Sequence, residues 1–138
     1  MNIIYHAKRP YLPLLACALH LGLNNEAEPF LPAGQRRDWR TEPLLVAGSD
    51  SDGATVCCLA HGRHGGLYRR TLAGMAGIFS FSLAWVDLDR EIAAHGLTAQ
   101  LRVFLADRWP AAFGHRLLPR ITADLRASLL ARRREDCR

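Results

Sequence analysis

The chain has 138 residues, of which 49% are apolar, and it carries a formal net charge of +5. This length and apolar content suffice for one domain with a hydrophobic core. No apolar run reaches the roughly 18 residues of a membrane-spanning helix. The first residues also lack the basic, apolar and cleavage segments of a secretory signal, so we expect a cytoplasmic protein without a transmembrane segment.

The excess positive charge lies in the last third of the chain. Residues 1–95 carry nine basic and nine acidic residues, whereas residues 96–138 carry nine arginines and four acidic residues. We therefore predict an α/β core over residues 1–95 and a basic helical extension, packed on that core, over residues 96–138. Nucleic acid is not an expected partner, because an arginine excess without a recognition motif is weak evidence for it.

The opening stretch predicts a strand, a loop and a helix. Ile3–Tyr5 form a short apolar strand, and leucines at spacings of three and four predict a helix over Tyr11–Leu21. The loop His6–Pro10 carries the cations Lys8 and Arg9. A helix that starts beside this loop presents unpaired backbone N–H groups, which favour anions. The loop is therefore either an anion-binding turn or a connection with solvated charges.

The segment from residue 44 to residue 59 predicts a β-hairpin. Two apolar runs, Leu44–Ala47 and Thr55–Leu59, flank a turn that contains Asp52 followed by Gly53. This dipeptide is a strong hairpin signal, because glycine adopts the positive φ that such turns need. Asp50 in the same turn faintly resembles part of a calcium loop, but the remaining ligands are absent, so we interpret it as turn chemistry.

The loop after the second hairpin strand is the second candidate binding element. It leads into a predicted helix over Leu67–Phe79. It contains two histidines, an arginine and three glycines, namely His61, Gly62, Arg63, His64, Gly65 and Gly66. Glycines let a ligand approach the backbone closely. Alternatively, the glycines only end the strand and the histidines are exposed. No metal site is predicted, because two histidines without a third nearby ligand are a weak signal.

The last predicted strand, Leu83–Val86, ends at an acidic pair, Asp87 and Asp89. Open α/β sheets place ligand-contacting groups at the carboxyl ends of their strands, which makes Asp87 a candidate site residue. Alternatively, either aspartate caps the short polar turn at Arg90–His95.

Two further helices are predicted in the extension, over residues 97–109 and 116–132. In the second, leucine and isoleucine residues at spacings of three and four form an apolar stripe that arginines surround. The stripe includes Leu118, Ile121 and Leu125. Such a helix either docks a protein partner, through residues 116–134, or completes the core while its arginines are solvated.

The candidate residues converge if their strands are parallel. Together the elements predict an α/β fold with a mostly parallel sheet of about four strands, including one hairpin, flanked by helices. Right-handed strand–helix–strand crossovers are the default, and they bring the three strand exits to one edge. We predict these ligand-binding residues at that edge: Lys8, Arg9, His61, Arg63, Gly65 and Gly66. The candidates for acid–base catalysis are His6, His64 and Asp87.

This cationic edge predicts the binding of a small phosphate- or carboxylate-bearing ligand. Whether the protein is an enzyme stays open, because the first loop offers no serine or cysteine nucleophile, and no cofactor is predicted. The alternative is a non-enzymatic regulatory or interaction module that docks a partner through its basic C-terminal helix.

Over residues 1–89 several short motifs follow one another in a characteristic order. They are Ile3-Ile4-Tyr5-His6, His20-Leu21-Gly22, Val56, Gly62-Arg63-His64-Gly65-Gly66-Leu67, Arg70, Leu72, Met75, Ile78-Phe79 and Val86-Asp87. This order resembles the bacterial domain-of-unknown-function family 3189. That family has Cys-Tyr-Gly-Gly-Thr-His-Ser-Ser after its first Tyr-His pair, where this chain has Ala7–Leu14, so only His6 is carried over from that motif. The resemblance implies a fold but no reaction, because the family's activity is itself unassigned.

Overall fold

The structure is a computed structural model, and it describes residues 1–22, 41–108, 117 and 119–127. The chain divides into two units, Met1–Leu88 and Asp89–Arg138. The sequence predicts a division after residue 95 instead, and that division stays a prediction.

The first unit is built on a four-stranded sheet, which confirms the predicted α/β class. Its elements in chain order are β1 (Asn2–Ala7), α1 (Tyr11–His20), β2 (Leu44–Ser49), β3 (Thr55–Ala60), α2 (Gly65–Phe79) and β4 (Leu83–Asp87). The strand order is β2-β3-β1-β4. β1 is parallel to both β3 and β4, whereas β2 is antiparallel to β3. The sheet is therefore mostly parallel and contains the one predicted hairpin.

Local chemistry accounts for the hairpin and for the end of α1. In the hairpin turn, Asp50 accepts backbone hydrogen bonds from Asp52 and Ala54 (3.0 and 2.8 Å), as aspartate does in an Asx turn. Gly53 adopts a φ of 75° in that turn, where a residue with a Cβ is disfavoured. Gly22, with a φ of 70°, follows α1 as its C-terminal stop.

The two faces of the sheet carry different cores, because successive strand residues point to opposite sides. On one face, Ile4, Cys57 and Leu59 form a buried cluster against which Tyr68 and Leu72 of α2 pack. The opposite face carries Tyr5 and Cys58 and is covered by α1. α1 and α2 therefore cover opposite faces of the sheet.

The buried side of α1 confirms that this helix belongs to the core, although Leu12 is the one described leucine of its periodic set (Leu12, Leu15, Leu19 and Leu23) that is fully buried. Leu15 and Leu19 are half-buried. Five other residues are fully buried, namely Leu12, Pro13, Leu14, Ala16 and Cys17. Leu23 lies outside the described residues.

The second unit is helical over its described part. After α3 (Leu88–Ala94), which begins at the last residue of the first unit, come α4 (Leu97–Arg108) and helical residues at 117 and 119–127. The buried side of α4 is formed by Ala99, Val103 and Ala106. None of the described helices is long and apolar enough to cross a membrane.

The basic C-terminal helix turns its apolar residues inward. Ile121 and Leu125 are completely buried, while Arg120 and Arg126 are exposed. Leu118, Arg116 and residues 128–134 lie outside the described part of the chain. At both described positions the stripe is therefore core, and it does not form the exposed surface that partner docking through this helix requires.

Candidate functional site

The carboxyl ends of β3, β1 and β4 lie side by side at one edge of the sheet, which we call the rim. In the register of the sheet, His6 pairs with Leu59 on one side and with Asp87 on the other. The loops that leave β1 and β3 are joined by backbone hydrogen bonds. The His61 N–H donates to Ala7 O (3.0 Å), and the Gly62 N–H donates to Lys8 O (3.1 Å). The first and second predicted loops are therefore direct neighbours.

Two histidines and a tryptophan form an aromatic cluster at the rim. The ring centroids of His6 and His61 lie 5.4 Å apart, and those of His6 and Trp85 lie 5.6 Å apart in an edge-to-face arrangement. All three side chains are half-buried. The cluster joins β1, the loop after β3 and β4, so residues from three parts of the sequence meet at one place.

The hydrogen bond of His61 indicates which of its ring nitrogens carries the proton. His61 Nδ1 lies 3.1 Å from Gly62 O. Because a carbonyl oxygen only accepts, Nδ1 is the donor in this bond. In the neutral ring, Nε2 then holds the lone pair, and it is the atom through which His61 could take up a proton.

The structure accounts for two glycines of the second loop, Gly62 and Gly65, in different ways. Gly62 has a φ of 56°, in the left-handed region. At Gly65, an added Cβ would come within 2.9 Å of the His61 ring. Gly65 therefore leaves the room that this imidazole occupies, whereas a Cβ at Gly66 would meet no described atom within 4 Å.

Both helices that start at the rim lack side-chain caps. α1 begins after Pro10 and α2 begins after His64, and neither has an N-cap side-chain hydrogen bond or an acidic residue in its first turn. The first N–H groups of a helix have no intrahelical acceptor and carry a partial positive charge. Two positive helix ends therefore point toward one edge of the sheet, from its opposite faces.

Exposed cations from both loops add to this positive edge. Lys8 and Arg9 leave β1, and Arg63 leaves β3. The predicted ligand-binding residues thus belong to neighbouring loops.

The three catalytic candidates are placed unequally. His6 and Asp87 occupy matching positions on adjacent parallel strands, so their side chains leave the same face of the sheet. His64 lies in the same loop as His61, but its side chain is exposed at the N-terminus of α2. The structure therefore groups His6 with His61, both of which the sequence predicts at this edge, and with Trp85, which the sequence does not indicate.

A buried polar chain away from the rim is also missing from the sequence-based interpretation. The Tyr5 hydroxyl lies 2.7 Å from His20 Nδ1, and His20 Nε2 lies 3.1 Å from Asp50 Oδ2. In neutral His20, Nε2–H donates to the carboxylate, and Nδ1 accepts from the Tyr5 hydroxyl. The Ala54 N–H and, next, the His20 side chain lower the pKa of Asp50 below its usual value, although its partial burial acts in the opposite direction.

The Tyr5–His20–Asp50 chain connects three separate elements. It ties the C-terminus of α1 to β1 and to the hairpin turn. The side chains of His20 and Asp50 are 9% and 12% exposed, and Tyr5 is buried. Since the tyrosine hydroxyl is enclosed, the chain is better suited to bracing the fold than to attacking a substrate.

The described cysteines, Cys17, Cys57 and Cys58, are buried and form no disulfide with one another. A hydrogen bond with Cys58, together with burial, raises the pKa of Cys17, and burial raises the pKa of Cys57. Cys137 lies outside the described residues. Across residues 1–22, 41–108, 117 and 119–127, no group of three or more His, Cys, Asp or Glu side chains could hold a metal ion.

No protein-family model matches the sequence, and comparisons with curated proteins and with solved structures find no match. The resemblance to the bacterial family 3189 therefore stays a prediction.

Proposed function

We propose that the rim binds a small anionic ligand that bears a phosphate or carboxylate group. One observation carries this proposal: the uncapped N-termini of α1 and α2 both start at the rim, and neither first turn contains an acidic residue. Two helix ends offer backbone N–H donors and partial positive charge to the same region.

The side chains of the two rim loops support the proposal. Lys8, Arg9 and Arg63 are exposed on loops that backbone hydrogen bonds join. A guanidinium group such as that of Arg63 can donate two parallel hydrogen bonds to a carboxylate or phosphate. Gly66, where a Cβ would meet no described atom within 4 Å, leaves the backbone at the start of α2 open to such a group.

The histidine pair gives the site a capacity for proton transfer. The ring centroids of His6 and His61 lie 5.4 Å apart, and Asp87 leaves the same strand edge. Imidazole is the side chain that most often transfers protons in general acid–base catalysis. General acid–base catalysis on a bound anion is therefore a proposal that the rim geometry permits, with His6, His61 and Asp87 as the groups to test. A cytoplasmic location is part of the same proposal.

Partner docking through residues 116–134 has less support than ligand binding at the rim. Docking through an amphipathic helix requires an exposed apolar stripe, and the two described members of this stripe, Ile121 and Leu125, are completely buried.

Thermal unfolding of the full chain tests the proposal directly. Inorganic phosphate and citrate are titrated against sodium chloride at equal ionic strength. A ligand at one hundred times its dissociation constant stabilises the folded state by about 2.7 kcal/mol, so specific binding appears as a rise in Tm that saturates. Arg63→Gln and Gly65→Ala are expected to reduce this rise, the second by displacing the His61 ring.

Arg120→Gln is the matched control, because Arg120 is an exposed arginine in the second unit. It is expected to keep the full response to phosphate. An equal Tm shift with sodium chloride, or equal losses in Arg63→Gln and Arg120→Gln, would show only general charge screening and would overturn the proposal.

A further inference from the structure

We propose that the exposed face of α2 binds the surface of an anionic lipid bilayer. The face is defined by four large apolar side chains and two arginines, namely Leu67, Met75, Ile78, Phe79, Arg69 and Arg70. This inference is independent of ligand binding at the rim, because it uses the side chains along α2 and not the N–H groups at its start.

The apolar side chains of this face are unusually exposed for a helix packed on a sheet. Leu67, Ile78 and Phe79 are 63%, 76% and 65% exposed, and Met75 is 43% exposed. No residue of α2 is buried. Large contiguous apolar patches on a protein surface commonly mark sites of interaction with a protein or a membrane.

The members of this face are spread around α2, and only Leu67 and Ile78 share one ridge. At about 100° per residue, Met75 and Phe79 lie about 80° and 120° from Leu67, toward the side of Tyr68 and Leu72 that packs on the sheet, whereas Arg69 lies about 160° from Leu67.

Leu67 and Ile78 are eleven positions apart, so they lie on nearly the same side of α2 and are separated by about 17 Å along its axis. Between them, a Cβ at Gly74 or Gly77 would meet no described atom within 4 Å. The small glycines therefore leave the larger side chains projecting outward on either side.

The charge around the ridge indicates an anionic partner. Residues 53–86 contain three arginines and no aspartate or glutamate. Two of these arginines, Arg69 and Arg70, are exposed on α2 itself. Arginine stems pack along apolar surface while the charged group reaches outward, as in helices that lie at a membrane interface.

A bilayer fits this surface better than either kind of protein partner. In a homodimer formed through this face, Arg69 and Arg70 of one copy would lie near those of the other, and α2 has no acidic residue to balance their charge. A protein of another kind would need a groove shaped to the ridge, whereas a lipid surface adapts to it. Amphipathic helices with basic flanks bury their apolar side about 5–10 Å into the headgroup boundary.

Co-sedimentation with vesicles tests the inference on the full chain. We expect the protein to pellet with vesicles of phosphatidylcholine and phosphatidylglycerol in equal parts, and not with phosphatidylcholine alone. Arg69→Gln with Arg70→Gln should weaken binding about fivefold per arginine. Ile78→Ser with Phe79→Ser should weaken it by about tenfold per side chain.

Val46→Ser is the matched control, since Val46 on β2 is 61% exposed and lies outside the proposed surface. It should bind like the unmodified chain, and circular dichroism with thermal unfolding should show that every variant folds. Absence of pelleting with anionic vesicles, or binding that Ile78→Ser with Phe79→Ser leaves unchanged, would overturn the inference. So would a homodimer that the same double variant dissociates, because a second copy would then cover this face.

Discussion

α1 and α2 cover opposite faces of one sheet, but only α1 contributes fully buried residues to the core. Five residues of α1 are buried, whereas none of α2 is. Each helix follows one of two adjacent parallel strands, and each begins at the rim without a side-chain cap. The difference between them therefore arises from how their sides are packed and not from their place in the topology.

The two helices also differ in their glycine content. α1 contains no glycine, whereas α2 contains Gly65, Gly66, Gly74 and Gly77. Glycine inside a helix costs about 0.5–1 kcal/mol relative to alanine. At Gly74 and Gly77 an added Cβ would meet no described atom within 4 Å, so packing does not require glycine at these positions. A helix whose sequence lowers its own stability and exposes its large side chains is suited to contacts outside the monomer, while α1 holds the fold together.

The largest expected difference in the free energy of unfolding is between the same leucine-to-alanine substitution made in α1 and in α2. Leu12 of α1 is 3% exposed, and Leu67 of α2 is 63% exposed. Leu12→Ala should lower the free energy of unfolding by about 2–5 kcal/mol, because it leaves a cavity in the core. Leu67→Ala should change it by no more than about 0.5 kcal/mol. Urea unfolding of both variants measures the difference, and similar losses would contradict the contrast between the helices.

A smaller effect is expected at the polar chain that anchors the end of α1. Tyr5→Phe removes the hydroxyl that donates to His20 Nδ1, in a side chain that is 9% exposed. Leaving this nitrogen unsatisfied should lower the free energy of unfolding by about 1–2 kcal/mol.

Tyr68→Phe on α2 is the matched comparison for Tyr5→Phe. The Tyr68 side chain packs beside the sheet cluster and makes no hydrogen bond to any other residue in the described ranges. Loss of the Tyr68 hydroxyl should therefore have little effect on the denaturant concentration at which half of the protein is unfolded. If the two substitutions shift the midpoint equally, the polar chain does not brace α1.

The smallest expected effect is a gain in stability within α2. Gly74→Ala should raise the free energy of unfolding by about 0.4–1 kcal/mol, because alanine restricts the unfolded chain and its Cβ would meet no described atom within 4 Å beyond the adjacent helix backbone. Gly53→Ala is the control, since a φ of 75° disfavours a Cβ there and the change should destabilise the hairpin. Calorimetric unfolding compares the two, and a loss of stability in Gly74→Ala would show that this glycine is needed inside the monomer.

The elements that local chemistry dictates could be predicted from the sequence. The hairpin follows from the turn at Asp52 and Gly53, and the strand and helix of the opening stretch follow from apolar spacing. The predicted rim residues lie on neighbouring loops because parallel strands end at the same edge. Their role in binding stays a prediction, since geometry alone does not identify a ligand.

Side-chain partners at long sequence separation could not be predicted in the same way. Tyr5 meets His20, fifteen residues along the chain, and His20 meets Asp50, thirty residues further on. The contact of Trp85 with His6 is of the same kind. No local pattern marks such contacts, because each depends on the register of the sheet and on the placement of α1.

Local patterns were enough to predict the strands, the hairpin turn, the longer helices and the parallel arrangement that places two cationic loops together, whereas α3 (Leu88–Ala94) was predicted only as a short turn at Arg90–His95. Which apolar residues form the core depends on packing between distant parts of the chain. Helical periodicity in α2 and in the basic C-terminal helix looks alike along the chain, yet Ile121 and Leu125 are buried while Leu67 and Ile78 are exposed. Periodicity records that a helix has an apolar side, whereas burial depends on whether another part of the folded chain lies against that side.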